Sequence, residues 1–396
     1  MLSLDKVFNA QMVLKNIIRE TNVVRAYGIA PACELYLKPE NLQITGSFKV
    51  RGSAYKIAML SEEEKAKRVI ACSAGNHAQG VALAATKNGI KSLICLPDTA
   101  PISKVEATKG YGADVCLVEG CYDDAYQKAL ELKESEGYTF VHPFDDENVI
   151  AGQGTIALEI LNELDNIDAI VVPIGGGGLI SGIAYTVKQI RPSVKVYGVQ
   201  ATGAPSMYNA VKDGQIECLS AVSTIADGIA VKQPGENTFR YVSEYVDEIA
   251  LVSDDEVSSA ILALIEKQKM IAEGAGAVAV AAVMSDKFDL KGKRVVAVVS
   301  GGNIDVTSLS HVIDRGLLNS GRSTSLLIEL MDKPGQLKEI SRIIADCGGN
   351  VTGVHYEKGN TESVNGCFLR IEMETRDFEH VNLITKTLCD EGFKLV

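Results

Sequence analysis

The stretch "AIVVPIGGGGLISGIAYTVKQI" (residues 169–190) decides the fold. An apolar run (169–174) leads into four consecutive glycines, and a mainly apolar helical stretch follows them. Uninterrupted apolar runs between turns are typical of strands in parallel sheets that helices cover on both faces. The stretch therefore indicates an α/β protein, with a strand-to-helix turn made of Gly175, Gly176, Gly177 and Gly178.

The four glycines also favour an anion site. Glycine lets the backbone approach a ligand closely, and the first turn of a helix presents unpaired N–H groups to it. The loop is not a Walker loop, because no Gly-Lys-Ser/Thr follows, and it lacks G-x-G-x-x-G spacing. We predict that it binds a phosphate. The alternative is a sharp turn that binds nothing.

Strand and helix patterns alternate from about residue 66 to residue 320. Further apolar runs are separated by turns and helical stretches, and they read "RVIACS" (68–73), "SLICLP" (92–97), "DVCLVE" (114–119), "YTFVHP" (138–143), "KVYGVQ" (195–200) and "RVVAVVS" (294–300). This alternation predicts parallel sheets, and such sheets bind ligands at the carboxyl ends of their strands.

The pattern changes after the polar stretch "NSGRS" (319–323), which we interpret as a linker. Four strands and two helices are expected beyond it. The strands are residues 324–330, 350–358, 366–374 and 393–396, and the helices are residues 337–349 and 377–392. The order βαββαβ predicts a small ferredoxin-like domain.

Composition limits the class of protein. A chain of 396 residues is long enough for two or three domains. The net charge of −12 argues against nucleic acid or an anionic membrane as the main partner. Nine scattered cysteines without a C-x-x-C pair favour reduced thiols in the cytoplasm over disulfides or zinc. The N-terminal stretch does not resemble a signal peptide, and the apolar run 275–284 is too short to span a bilayer.

Two more loops follow predicted strands. In "SAGNHAQG" (73–80), Ser73, Gly75 and Asn76 suit a carboxylate or a phenolic oxygen, or they only cap a helix. His77 at this helix start is more simply structural than catalytic. In "SGGN" (300–303), Ser300 presents a hydroxyl to a ligand or belongs to a plain turn. We expect these loops and the glycine loop to meet in one crevice.

A lysine in an unusual setting accompanies these loops. Lys49 stands in "TGSFKVRGS" (45–53), where Thr45 to Ser47 form a turn and Arg51 and Gly52 begin a helix. A phosphate loop and a lysine together suit pyridoxal phosphate, because its aldehyde forms a Schiff base with lysine. A nucleotide enzyme would instead need a lysine within the glycine loop and an acidic magnesium ligand.

These motifs resemble the serine/threonine dehydratase family of pyridoxal-phosphate fold type II, in the same order and spacing over residues 5 to 320. The C-terminal part resembles an ACT domain, with "DKPGQL" (332–337) as its ligand loop. The resemblance implies two mostly parallel sheets and a ferredoxin-like ACT domain. It also implies deamination of L-threonine to 2-oxobutanoate and ammonia, and of L-serine to pyruvate, regulated through the ACT domain.

The resemblance assigns a role to each matching residue. Lys49 would hold pyridoxal 5'-phosphate and act as the catalytic base. The remaining cofactor contacts would be Phe48, Asn76, Gly175 to Gly178, Leu179, Gly228 and Ser300. The substrate carboxylate would lie against Ser73, Gly75, Asn76 and the backbone of His77. A small amino acid that regulates the enzyme would bind Asp332, Gly335, Leu337 and Asn350.

The resemblance also implies a domain arrangement. A large catalytic domain would comprise residues 1–50 and 145–318, and a small one residues 51–144. A linker (319–324) would join them to the ACT domain (325–396). We expect a homodimer or homotetramer.

Some residues depart from the racemases of this family. Ala74 replaces their second serine, and Gln200 and Ser206 replace their acidic metal ligands. We therefore expect neither racemization nor that metal site. Glu273, in "AEGAGA" (272–277), receives no role. Two alternatives stay open, namely another β-elimination or β-replacement enzyme such as a cysteine synthase relative, and an amino-acid sensor without catalysis.

Overall fold

A computed structural model of the chain describes residues 1–357 and 366–396, which form two compact units, Met1–Leu309 and Ser310–Val396. The first unit is the predicted α/β fold, and the second carries a small antiparallel sheet.

A six-stranded sheet forms the larger part of the first unit. Its order is β1-β2-β10-β7-β8-β9, and every neighbouring pair is parallel except β1 and β2. The strands are β1 (Val24–Arg25), β2 (Glu34–Pro39), β7 (Ala169–Pro173), β8 (Lys195–Ala201), β9 (Glu248–Val252) and β10 (Arg294–Val299).

A second, four-stranded sheet is parallel throughout, in the order β5-β4-β3-β6. It consists of β3 (Val69–Cys72), β4 (Ser92–Pro97), β5 (Asp114–Val118) and β6 (Thr139–Phe140). All seven apolar runs from the sequence are strands, so the predicted alternation is confirmed.

Helices pack against both sheets of the first unit. The helices up to residue 319 are α1 (Leu4–Leu14), α2 (Lys49–Ala58), α3 (Glu62–Ala66), α4 (Asn76–Lys87), α5 (Ile102–Gly110), α6 (Tyr122–Glu136), α7 (Glu147–Glu163), α8 (Gly178–Ile190), α9 (Ser206–Asp213), α10 (Glu236–Tyr245), α11 (Asp254–Ala263), α12 (Gly274–Met284) and α13 (Val306–Asn319), and the boundary between the two units falls within α13. Short 3₁₀ turns lie at Glu40–Leu42 and Asp227–Ile229, and a π-helical turn at Leu264–Gln268.

Two helices pack unusually closely at the start of α2. A Cβ on Gly152 of α7 would lie 2.7 Å from the carbonyl oxygen of Arg51, and one on Gly52 would overlap Gln153. Helix α2 begins at Lys49, two residues before the predicted start. Lys49 therefore stands on a helix that packs closely against α7.

The apolar run 275–284 lies within α12, whose residues Gly274 to Val283 are all buried. Across residues 1–357 and 366–396, the helices are all too short or too polar to cross a membrane.

The second unit has the predicted βαββαβ order. Its elements are β11 (Ser323–Met331), α14 (Gln336–Asp346), β12 (Asn350–Glu357), β13 (Gly366–Glu374), α15 (Phe378–Asp390) and β14 (Lys394–Leu395). The antiparallel sheet has the order β12-β13-β11-β14. Its own core includes Ile328, Ile340, Ile344, Leu369 and Ile384. Lys358, the last residue of the predicted strand 350–358, lies outside the described residues.

Candidate active site

A cavity of about 1350 Å³ opens in the first unit where the strand-end loops meet. The loops after β3, β7 and β10 all line it. So do all the residues that the sequence assigned to cofactor and substrate, from Phe48 to Ser300. The predicted convergence of the three loops is therefore confirmed.

Lys49 reaches into this cavity from the first turn of α2. Its Nζ donates a hydrogen bond of 3.0 Å to the carbonyl oxygen of Pro143. Burial lowers the pKa of Lys49 to about 8, against the opposing charge of Glu273. A substantial fraction of the amine is therefore neutral near pH 8, which is the form that can act as nucleophile or base.

The start of α2 is tied to the loop after β10. Phe48 N–H donates to the carbonyl oxygen of Ser300 at 3.1 Å, and Ser47 forms an isolated bridge with Gly301. The Ser300 hydroxyl donates to the carbonyl oxygen of Ala275 at 3.2 Å. Lys49 and Ser300 are therefore held on neighbouring walls of one site.

The glycine loop lies between β7 and α8, where side chains would not fit. A Cβ on Gly176 would overlap the ring of Phe144. Gly177 has φ +97°, and a Cβ there would lie 2.6 Å from Met207 and 2.8 Å from Thr238. Thr238 also donates from Oγ1 to the carbonyl oxygen of Gly176 at 2.6 Å. The loop is a close-packed backbone surface at the N-terminus of α8, which suits an anion.

The loop after β3 supplies the polar wall opposite. Ser73 Oγ accepts a hydrogen bond of 3.1 Å from Gly75 N–H, and Asn76 begins α4. No side chain caps this helix start. The first N–H groups of α4 can therefore receive a carboxylate from the cavity.

The side chain of His77 is structural, as the sequence analysis favoured. Its Nε2 lies 2.8 Å from the carbonyl oxygen of Val141 and its Nδ1 3.4 Å from Ser53 Oγ. Burial and the charge of Lys49 lower the pKa of His77 to about 3. The ring is therefore neutral at physiological pH and is held by the protein itself.

Several lining residues were missed by the sequence analysis. His142, Pro143 and Phe144 follow β6, and Asn303 lies beyond Ser300. The histidine accepts backbone N–H groups of the next turn through Nδ1, and burial lowers its pKa to about 4. A single sequence offers no signal for these residues, because their importance comes from contacts with distant segments.

The four predicted effector residues all lie on exposed parts of the second unit. Gly335, with φ +94°, precedes α14, and Leu337 lies in its first turn with 46% of its surface exposed. Asp332 lies in the turn before this helix. Asn350 begins β12 and donates to Glu374 at 2.8 Å.

Comparison with known proteins identifies the family. A family model described as pyridoxal-phosphate dependent enzyme matches residues 14–301. The chain belongs to the family of pyridoxal-phosphate dependent enzymes. The Thermotoga maritima L-threonine ammonia-lyase is 47% identical over 100% of this chain and 99% of that protein.

Two further members of the family are similar to this chain. The catabolic L-threonine dehydratase of Escherichia coli K12 is 44% identical over 78% of this chain and 96% of its own length. The solved structure of the processed form of threonine deaminase isoform 2 from Solanum lycopersicum is 39% identical, with a TM-score of 0.76. The matched region covers 80% of this chain and 90% of the chain in the solved structure.

The residues of the cavity fit pyridoxal phosphate. A backbone surface of glycines at a helix N-terminus suits the phosphate, and a buried amine of lowered pKa suits the aldehyde. The residues that would hold it are Lys49, Phe48, Asn76, the glycine loop with Leu179, Gly228 and Ser300.

Gln200 and Ser206, which replace the acidic metal ligands of the racemases, are both buried. Gln200 Oε1 accepts the backbone N–H of Tyr208 at 2.8 Å. That this protein needs no metal stays a prediction.

Proposed function

We propose that this protein is a threonine ammonia-lyase. It converts L-threonine to 2-oxobutanoate and ammonia, and L-serine to pyruvate and ammonia, by elimination of water. The observation that carries the proposal is the buried Lys49 amine, which shares its cavity with the glycine loop. The 47% identity to an L-threonine ammonia-lyase over the whole chain supports the choice of substrate.

The chain's own residues would divide the chemistry among them. When bound, pyridoxal phosphate supplies an aldehyde for the amine and a ring that withdraws electrons from the α-carbon. The N–H groups at the start of α4 orient the substrate carboxylate. Lys49 in its neutral form takes the α-proton, and the β-hydroxyl leaves as water with one proton, so that the α-proton taken by Lys49 balances the proton lost with the water. Hydrolysis of the enamine so formed gives the 2-oxo acid and ammonia.

Ser300 would face the ring nitrogen with a neutral hydroxyl. A hydroxyl that already donates to the carbonyl of Ala275 holds that nitrogen less firmly in its protonated form than a carboxylate would. This favours elimination over transamination.

The second unit would bind a small amino acid that regulates turnover. Its ferredoxin-like order and the exposed loop from Asp332 to Leu337 support this proposal. The proposal also includes assembly of the protein as a homodimer or homotetramer and its location in the cytoplasm. The nine cysteines are free thiols, which is consistent with a reducing compartment.

A substrate panel tests the function. We expect release of ammonia and 2-oxo acid from L-threonine, more slowly from L-serine, and a change in rate when isoleucine or valine is added. Preference for O-acetylserine would favour a cysteine synthase relative. A protein that stays colourless with added pyridoxal phosphate would favour an amino-acid sensor.

Substitution of the lysine gives the matching prediction. Lys49→Ala should abolish both the absorbance of the bound cofactor and the turnover, because no other amine is proposed to hold the aldehyde. Circular dichroism should show an unchanged fold. Turnover at the wild-type rate by Lys49→Ala would contradict the role of this residue.

A further inference from the structure

The side chain of Asn76 is held in one orientation by a chain of hydrogen bonds from three distant segments. Asn76 Nδ2 donates to Glu273 Oε1 at 2.6 Å, and Asn76 Oδ1 accepts from Asn303 Nδ2 at 2.7 Å. Asn303 Nδ2 also donates to the carbonyl oxygen of Thr45 at 2.7 Å.

The direction of this chain is set at its Thr45 end. A backbone carbonyl can only accept, so Asn303 must present its nitrogen to Thr45. The second N–H of that nitrogen then points to Asn76, which must accept the hydrogen bond through its side-chain oxygen. Asn76 therefore turns its own nitrogen to Glu273, whose carboxylate accepts it. One N–H of Asn76 remains, and Asn76 lines the cavity.

Glu273 is buried in a space that the lack of a side chain at Gly301 keeps open. Only 6% of the residue is exposed. A Cβ on Gly301 would overlap Glu273 Oε1, and one on Gly228 would lie 3.6 Å from it. Burial and the charge of Asp227 raise the pKa of Glu273 to about 7, while Asn76, Lys104 and Lys49 oppose the rise. Protonation would weaken the bond to Asn76, because hydrogen bonds to a charged acceptor are the stronger ones.

We propose that Glu273 and Asn303 are positioning residues, which hold the Asn76 amide so that its remaining N–H points to the cofactor. The Glu273 carboxylate accepts a hydrogen bond from Asn76 Nδ2, and Asn303 donates one to Asn76 Oδ1. The bond from Asn303 excludes the orientation in which the oxygen and nitrogen of the Asn76 amide are exchanged. This inference rests on the proposed contact between Asn76 and the cofactor. It gives a role to Glu273, an acid that lines the cavity and accepts a hydrogen bond from Asn76.

The test measures binding of pyridoxal phosphate to the full-length chain by absorbance, without substrate. We expect Glu273→Gln and Asn303→Asp each to raise the dissociation constant about tenfold. Asn303→Asp replaces a donating amide by a carboxylate of almost the same shape that can only accept. The direction of the hydrogen bond to Asn76 is therefore reversed. The control is Glu256→Gln. Glu256 lies away from the cavity, where it caps α11 and forms an ion pair of 2.7 Å with Lys287.

A double-mutant comparison separates positioning from general destabilisation. In an Asn76→Ala background, Glu273→Gln should raise the dissociation constant of pyridoxal phosphate less than twofold further, because Glu273 acts through the Asn76 amide. In addition, wild-type affinity should fall more steeply than that of Glu273→Gln as the pH drops through about 7, whereas the dependence that comes from protonation of Lys49 near pH 8 should be common to both.

Unchanged affinity in both single variants, or an additive effect in the Asn76→Ala background, would overturn the inference. If Glu273→Gln unfolds, Glu273→Ala replaces it, and if Asn303→Asp unfolds, Asn303→Ala replaces it, with the same expected weakening in each case. Because no substrate is present, a failure of the proposed threonine chemistry would leave this result readable.

Discussion

At the residue scale, two cations near the start of α2 have surroundings that give them opposite properties. Lys49 donates to a neutral carbonyl, and burial lowers its pKa to about 8. Arg51, two residues later, donates to both carboxylate oxygens of Glu40 and of Glu159 at 2.6 to 2.8 Å, and its pKa is raised. One cation can therefore lose its proton and react, whereas the other stays charged and anchors the helix.

The lowered pKa of Lys49 predicts how stability depends on pH. In the cofactor-free protein, charged Lys49 costs up to about 3 kcal/mol relative to the unfolded chain below pH 8. This cost should vanish as the pH rises toward about 10.4, the pKa of an unfolded lysine. Lys49→Met should therefore be more stable than wild type at pH 7. Urea unfolding at pH 10 should show a smaller difference in the free energy of unfolding between the two proteins than at pH 7. An equal difference at the two pH values would contradict the prediction.

The Arg51 network predicts a large loss of stability on substitution. Arg51→Met would leave the carboxylates of Glu40 and Glu159 buried with less compensating charge. We expect a loss of about 3–5 kcal/mol in the free energy of unfolding. The control is Lys65→Met, which removes an exposed pair with Glu62 and should cost less than about 1 kcal/mol. Equal effects of the two variants would show that the buried network is unimportant.

At the element scale, the site is built from the ends of strands and the starts of helices. The loops after β3 and β7 open into α4 and α8, and the loop after β10 is bonded to the start of α2. Each loop is short, and its position is set by a buried strand. Backbone N–H groups, more than side chains, are therefore what these walls offer to an anion.

The glycine loop gives the prediction at this scale. Gly177→Ala would strain a residue at φ +97° and push against Met207 and Thr238. We expect the affinity for pyridoxal phosphate to fall about tenfold or more, measured by titration of absorbance. Gly110→Ala is the control, because it lies at the exposed end of α5 with open space around it. Wild-type affinity in Gly177→Ala would exclude this loop as the phosphate site.

At the scale of the whole molecule, two units carry separate cores. Every residue that lines the cavity lies between Phe48 and Asp305, within the first unit. The second unit has its own core around Ile328 and Ile340. The chemistry and its proposed regulation therefore belong to different parts of the chain.

Truncation tests this separation. A chain that ends at Ser320 keeps α13 whole and should fold, bind the cofactor and turn over threonine. It should lose any response of the rate to isoleucine or valine. The Escherichia coli relative, 96% of which aligns with 78% of this chain, supports a catalytic part that stands alone. Thermal denaturation and turnover with each amino acid provide the measurement, and a retained response would contradict the assignment.

The sequence alone determined much of this protein, because the relevant signals are local. Apolar runs and glycines in neighbouring positions predicted seven strands, the glycine loop and the βαββαβ unit. It missed β1, β2 and β9, since β2 is interrupted by Lys38, β9 has only four apolar residues after Glu248, and β1 has only two residues. It also placed the start of α2 two residues late, because helix boundaries are only weakly encoded by local sequence.

Only the tertiary structure decided how the site works. Thr45, Asn76, Glu273 and Asn303 are far apart in sequence, and their hydrogen bonds exist only once both sheets are assembled. The same holds for the lowered pKa of Lys49, which comes from burial, and for the inward turn of His77. Local backbone preferences are encoded by adjacent residues, but burial and hydrogen-bond partners depend on segments that meet only in the fold.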